Sequence, residues 1–326
     1  VAGGAIGVSG TNAITLSQGT GSLSLTTTSG GIFVTQTAGN LATSKITTLS
    51  AGGAGQAIEI TNASGNITVD TAFSAGDDKL QLKTTNTGTA QNIGFISAGS
   101  LTSTARGAGA ITLDATGSIT NASTAGTLID TAGLNGGITL AARGTGGAIG
   151  ATGTGAITVS QGGGALSLTT VDGGIYVTQT AGNLATSQVT TLSAGGAGQT
   201  IELVNTAGKI TIDNAFDAGN DNLLLKTTVA AQNINFSGAG SQLKTSSVGA
   251  PAVTLNAGGA ITNSGGATLA IDTSSGGGIT LVSGGAIGVS GANAITLSQG
   301  TGSVSATAST GGIFVTQTAS DTFTSK

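Results

Sequence analysis

The sequence predicts an all-β chain wound as a right-handed parallel β-helix, a β-solenoid, with about 24 residues per coil. Three observations lead there. Short apolar stretches alternate with period two, the chain repeats itself at two lengths, and its side chains are too small to fill a thick core. The 326 residues include 59 Gly and 1 Pro, 2% are aromatic, and only 7% are charged.

The strands come first. AITLSQ, GIFVTQT, AIEIT, GNITVD, KLQLKTT, GAITLDA and GGITLAA alternate apolar and polar residues between Gly, Asn and Ser, as half-buried strands do. No apolar i, i+3, i+4, i+7 pattern persists, and each Gly would cost a helix about 1 kcal/mol. Disorder is excluded by the wealth of Ile, Val and Thr, and collagen by the lack of a strict third-residue Gly.

The repeats come next. GGAIGVSGTNAITLSQGTGS at residues 3–22 returns at 284–303 with one change, and GGIFVTQTAGNLATS at Gly30 returns from Gly173 and Gly311. Ile32 and Ile175 are 143 residues apart, and Ile175 and Ile313 are 138 apart. The long repeats run approximately 3–145, 146–283 and, in part, 284–326. Shorter landmarks at Ile14, Ile32, Ile58, Leu80, Ile111, Ile138 and Ile157 divide the first into six steps, each taken as one coil. The expectation is one continuous solenoid over 1–326, a segment of a longer array.

Parallel stacking at about 4.8 Å with inward Ile, Val, Leu and Ala accounts for these units, and parallel crossovers are right-handed. Some fourteen coils at that spacing would make a rod of roughly 65–70 Å. Glycine serves corners where φ turns positive. A string of β-sandwiches would need thicker, aromatic cores, which this composition does not supply.

GAITLDATGSITNAS, GGITLAARGTGGAIG and GNITVDT resemble the repeats of filamentous-haemagglutinin-like proteins, large bacterial exoproteins exported by two-partner secretion. The resemblance covers essentially the whole chain and lies in repeat style. The secretion domain of that family, an N-terminal cap, has no counterpart in these residues. The resemblance implies a β-helical shaft outside a Gram-negative cell, serving attachment or biofilm structure.

Chemistry-bearing residues are few. His, Cys, Met and Trp are absent, which removes imidazole and thiolate catalysis and cysteine zinc sites. The nine basic residues are scattered and the net charge is −4, which argues against nucleic acid. No run reaches the ~18 apolar residues of a membrane helix. Phe33, Tyr176 and Phe314 occupy equivalent places on the outward parity of their strands. Either they are exposed rings for lateral packing or sugar stacking, or a neighbouring loop covers them, or the parity flips at a bulge. Phe73 and Phe95, with Phe216 and Phe236 in matching places, read as core.

Acidic residues gather in VDTAFSAGDD (Asp70, Asp77, Asp78) and IDNAFDAGND (Asp213, Asp217, Asp221). They can be read as a Ca²⁺ clip or as turn formers. No other cofactor is expected. Arg106 and Arg143 are read as standing alone, so paired catalytic groups are not expected. T-Q-T recurs only once per long repeat, too sparsely for an ice-binding face. N-x-[ST] sequons fall at Asn62, Asn66, Asn121 and Asn235.

The function expected is a non-enzymatic shaft of a secreted adhesin or extracellular fibre at the bacterial surface. Its partners would be further copies of itself, end to end or side by side, or surface carbohydrate, without membrane insertion. The alternatives are a self-assembling filament of end-stacked subunits and a polysaccharide-active β-helix enzyme.

Overall fold

Strands with one apolar edge need a partner on that edge and neighbours on both sides. In the computed structural model, which describes residues 1–86 and 88–318, they obtain both by parallel stacking at about 26 residues per turn. The chain divides into two compact units, Val1–Val177 and Thr178–Lys326; both are β-solenoids.

In the first unit one column contains Ile14–Leu16, Ile32–Gln36, Ala57–Asn62, Lys79–Thr84, Ile111–Ala115, Ile138–Ala142 and Leu166–Thr170. A second column contains Leu41–Ala42, Ile67–Val69, Ile93–Ser97 and Ile119–Ser123, continued by single bridges at Ile149 and Ile175. A third contains Ala72–Ser74, Ser100–Thr102, Ile129–Asp130 and Ile157–Ser160. The second unit repeats the plan. Its longest column runs Thr200–Asn205, Asn222–Thr227, Val253–Ala257, Ile279–Ser283, Val304–Ala308.

Register is set by the apolar residues. Ile32 pairs with Ile58, Ile58 with Leu80, Leu80 with Ile111, Ile111 with Ile138 and Ile138 with Leu166. All six are buried, with exposures of 0–1%. A slip of one residue would turn every one of them to solvent. Phe73, Phe95, Phe216 and Phe236 are also buried, Phe95 and Phe236 completely.

The coil is longer than the sequence landmarks imply. Ile157 does not begin a coil: Val159, in its strand, pairs with Ile129 in the third column. Ile175 bridges Ile149, as Ile149 bridges Ile119, and its strand Ile175–Gln179 pairs beside Ile157–Ser160 in the third-column sheet. The step from Ile138 in the first column to Ile157 in the third is therefore less than one coil, and at about 26 residues per turn the 143-residue repeat holds fewer than six. Both strands alternate apolar and polar residues equally well, and alternation cannot say which column a strand joins. Ile175 is the sequence counterpart of Ile32, yet the two occupy different columns.

Two side-chain devices hold the corners. Asn66 N donates to Asn40 Oδ1 at 3.0 Å, Asn92 N to Asn66 Oδ1 at 2.8 Å, and Ser118 N to Asn92 Oδ1 at 2.8 Å. Each bond ties one coil to the next at a spacing of 26 residues. Asn62, fully buried, uses its whole amide: Nδ2 donates to Gly39 O and Asn66 O, and Oδ1 accepts from Ser64 N and Gly65 N. This sequon residue is a turn clamp, inaccessible to glycosylation in the folded coil.

Ile58→Asp or Ile138→Asp should destabilise the first unit by about 3 kcal/mol or more, through a buried unpaired charge. Thr15→Ser, at an exposed position, should stay within about 0.5 kcal/mol. Urea unfolding followed by circular dichroism reads both, and equal midpoints would refute the register.

Candidate functional site

The outward face of the first column carries the structure's most distinctive side chains. Ile6 bridges Ile32 and Ile14 pairs with Val34. Two neighbouring positions of one strand thus rest on residues eight apart, and residues 7–13 leave the wall as a loop. Val8 N donates to Asn12 O at 3.1 Å and closes it. Gly7 opens the loop with φ +71°, where a Cβ would lie 2.5 Å from Phe33 O. The same excursion recurs at 150–156 in the first unit and 288–294 in the second, closed by Ala151 N to Gly155 O and Val289 N to Asn293 O.

Above each excursion stands an aromatic residue. Phe33 and Tyr176 are half-buried, and Phe314 is 39% exposed. Each ring covers the glycine two residues earlier. A Cβ on Gly31 would meet Phe33 Cε2 at 2.8 Å, one on Gly174 would meet Tyr176 Cε2 at 2.6 Å, and one on Gly312 would meet Phe314 Cε2 at 2.5 Å. The rings point outward and lean over bare backbone. Phe33 and Tyr176 belong to different columns, so they do not form one seam along the first unit.

Phe33 begins an outward row in register. It pairs with Glu59, Glu59 with Gln81, and Gln81 with Thr112, one per coil. Ser9, on the excursion loop, reaches past Phe33 to donate from Oγ to Glu59 Oε2 at 2.7 Å. Together with Lys79 these residues line a groove of about 360 Å³.

The acidic residues sit at turns and do not converge. Asp70 accepts from Thr43 Oγ1, Ser44 N and Ser44 Oγ at 3.0, 2.8 and 2.6 Å. Asp213 accepts from Thr186 and Ser187 in the same way. Asp78 and Asp221 are buried and accept from Gln56 N and Gln199 N. Asp77 and Asp217 are exposed, and Asp217 accepts from Gly219 N. Most of these carboxylates already face N–H or O–H donors. Among the described residues no three His, Cys, Asp or Glu gather as a metal site.

Partial burial alone would raise the Asp70 and Asp213 carboxyls; the serine and threonine donors outweigh it and hold both below the ordinary range. Burial pushes Asp78 and Asp221 up. The first pair stabilises the fold at neutral pH, and that contribution is lost as pH falls through their lowered values. The second pair favours the fold in acid and loses that effect as pH rises from the ordinary Asp range through their raised values.

Arg143 does not stand alone. Its Nη2 meets Asp114 Oδ2 at 2.5 Å, and Lys83 Nζ lies 4.0 Å from the same oxygen. The Asp114 side chain is 4% exposed, and burial raises its pKa against the pull of Arg143 and Lys83. Parallel register makes the site: Asp114 pairs with Lys83 on one side and Ala141 on the other, two residues before Arg143. In the second unit Lys226 pairs with Asn256 at the corresponding place, so the ion pair belongs to one repeat. Lys83 and Arg143 flank an opening of about 630 Å³. A charge at i and another some thirty residues on gave no sequence signal until the column assignments were known.

No family model, curated protein or solved structure matches this chain. Among the described residues no helix is long and apolar enough to cross a membrane.

Asp70→Asn should cost about 1 kcal/mol at pH 7, and the gap from the parent should close as pH falls below ~3.9. Urea midpoints at pH 7 and pH 3 measure it. Asp114→Asn, which copies Asn256, should be nearly neutral. Arg143→Gln should cost about 1–3 kcal/mol by leaving the buried Asp114 carboxylate with only the more distant Lys83 beside it. The same assay compares the two.

Proposed function

We propose that the chain is a non-enzymatic shaft segment of a secreted bacterial adhesin or extracellular fibre, of the filamentous-haemagglutinin-like kind that its repeats resemble. The observation that carries this reading is the uninterrupted column of register-matched aliphatics in each unit. Each coil adds one ladder of backbone bonds and one layer of buried Ile, Leu or Val. Stability therefore accumulates by nearest-neighbour terms, and length can grow without a new core. Outward Thr and Ser keep the wall wetted with little charge. Its role is to give reach and stiffness, supporting attachment or biofilm cohesion at the cell surface.

The second reading, a filament of end-stacked subunits, draws on the parallel ladder itself, because the last coil of any such stack leaves a strand edge that another coil can pair.

Antibodies raised against the purified chain should label intact cells that produce the parent protein. Labelling only after lysis would refute the surface role. Sedimentation velocity over a wide concentration range separates the two forms: a constant coefficient supports the covalent shaft, and concentration-dependent growth supports stacked subunits.

A further inference from the structure

We propose that the outward row Phe33, Glu59, Gln81, Thr112 is a binding track for an extended neutral polysaccharide, laid along the coil axis. The inference goes beyond the shaft reading and stands without it, because it rests on the geometry of one groove.

The row places one side chain on each of four successive coils, about 4.8 Å apart. That spacing is close to the length of one pyranose residue in an extended chain. A pyranose presents an apolar C–H face and an edge of hydroxyls, so it needs an aromatic surface beside planar donors and acceptors. Phe33 supplies the ring, anchored by its contact with Gly31. Ser9 fixes Glu59 through Oε2, while among the described residues Glu59 Oε1 and the Gln81 amide carry no hydrogen bond. These groups are half-buried, line the groove of about 360 Å³, and are unspent.

Charge points to a neutral chain. The groove holds one carboxylate, Glu59, and one ammonium, Lys79, which offset each other; an acidic polysaccharide would call for clustered cations. The wider opening beside Lys83 and Arg143 is a poorer candidate, because the Arg143 head group is committed to Asp114. Lateral packing of fibres through the rings is also disfavoured, since Phe33 and Tyr176 lie in different columns. The second unit supplies an internal comparison. Its row runs Glu202, Leu224, Thr254, with Leu224 where the first unit has Gln81, so the amide is missing there.

The test is calorimetric titration of the full chain with cellohexaose. Saturable binding is expected, weakened about tenfold or more by Phe33→Leu, a loss on the scale of one aromatic contact. That variant keeps an apolar cover over Gly31. Gln81→Leu, which copies Leu224, should weaken binding comparably, while Thr254→Ala in the second unit should leave it unchanged. Thermal melts confirm that each variant folds, and Gln81→Leu carries the test if Phe33→Leu does not. Absence of saturable binding overturns the proposal, as does binding indifferent to both substitutions. Self-association of the chain that Phe33→Leu abolishes would also overturn it, by making a second copy the occupant.

Discussion

Everything in this molecule depends on inward aliphatic side chains meeting the same kind of side chain one coil away. The backbone ladder alone does not fix where a coil sits, because a parallel ladder can slide by two residues and still pair. The stacked Ile and Leu side chains remove that freedom. Burying each of them is worth about 1.5–3 kcal/mol, and the gain is realised only when neighbouring coils agree in phase. Outward positions inherit their alignment from this agreement. The row at Phe33, the Lys83–Asp114–Arg143 cluster and the asparagine ladder are each made by residues some 22 to 31 positions apart that the core has brought level.

The strands, their inward parity and their parallel stacking were legible in the sequence, because alternation and Gly-bounded length report directly on a half-buried pleated strand. Coil length was less legible. Ile14 and Ile157 are repeat counterparts and look alike by pattern, but Ile14 lies in the first column and Ile157 in the third. The asparagine ladder was also missed, although Asn40, Asn66 and Asn92 are evenly spaced at 26 residues. That spacing is a cross-coil signal, invisible to any window shorter than a coil. The isolated reading of Arg143 failed for the same reason: its partner is nearby in space only after stacking.

The acidic turns show how little charge this architecture needs. Asp70 and Asp213 bind the donors of a short turn in the preceding coil, and Asp78 and Asp221 cap backbone N–H groups beneath them. A carboxylate so occupied has little left to offer a cation. Asn, Asp and Thr at corners do the work that a larger protein gives to a thicker core, satisfying backbone groups that a narrow coil cannot pair internally.

The mismatch between long repeat and coil has a consequence for how such a chain evolves. Copying 143 residues advances the winding by a fraction of a turn beyond whole coils, as the separate columns of Ile32 and Ile175 record. Within the first unit the duplicated features at Phe33 and Tyr176 therefore face different directions. A gene that lengthens by tandem copying would distribute one ancestral patch around the circumference, like markings on a screw thread, with no further mutation required.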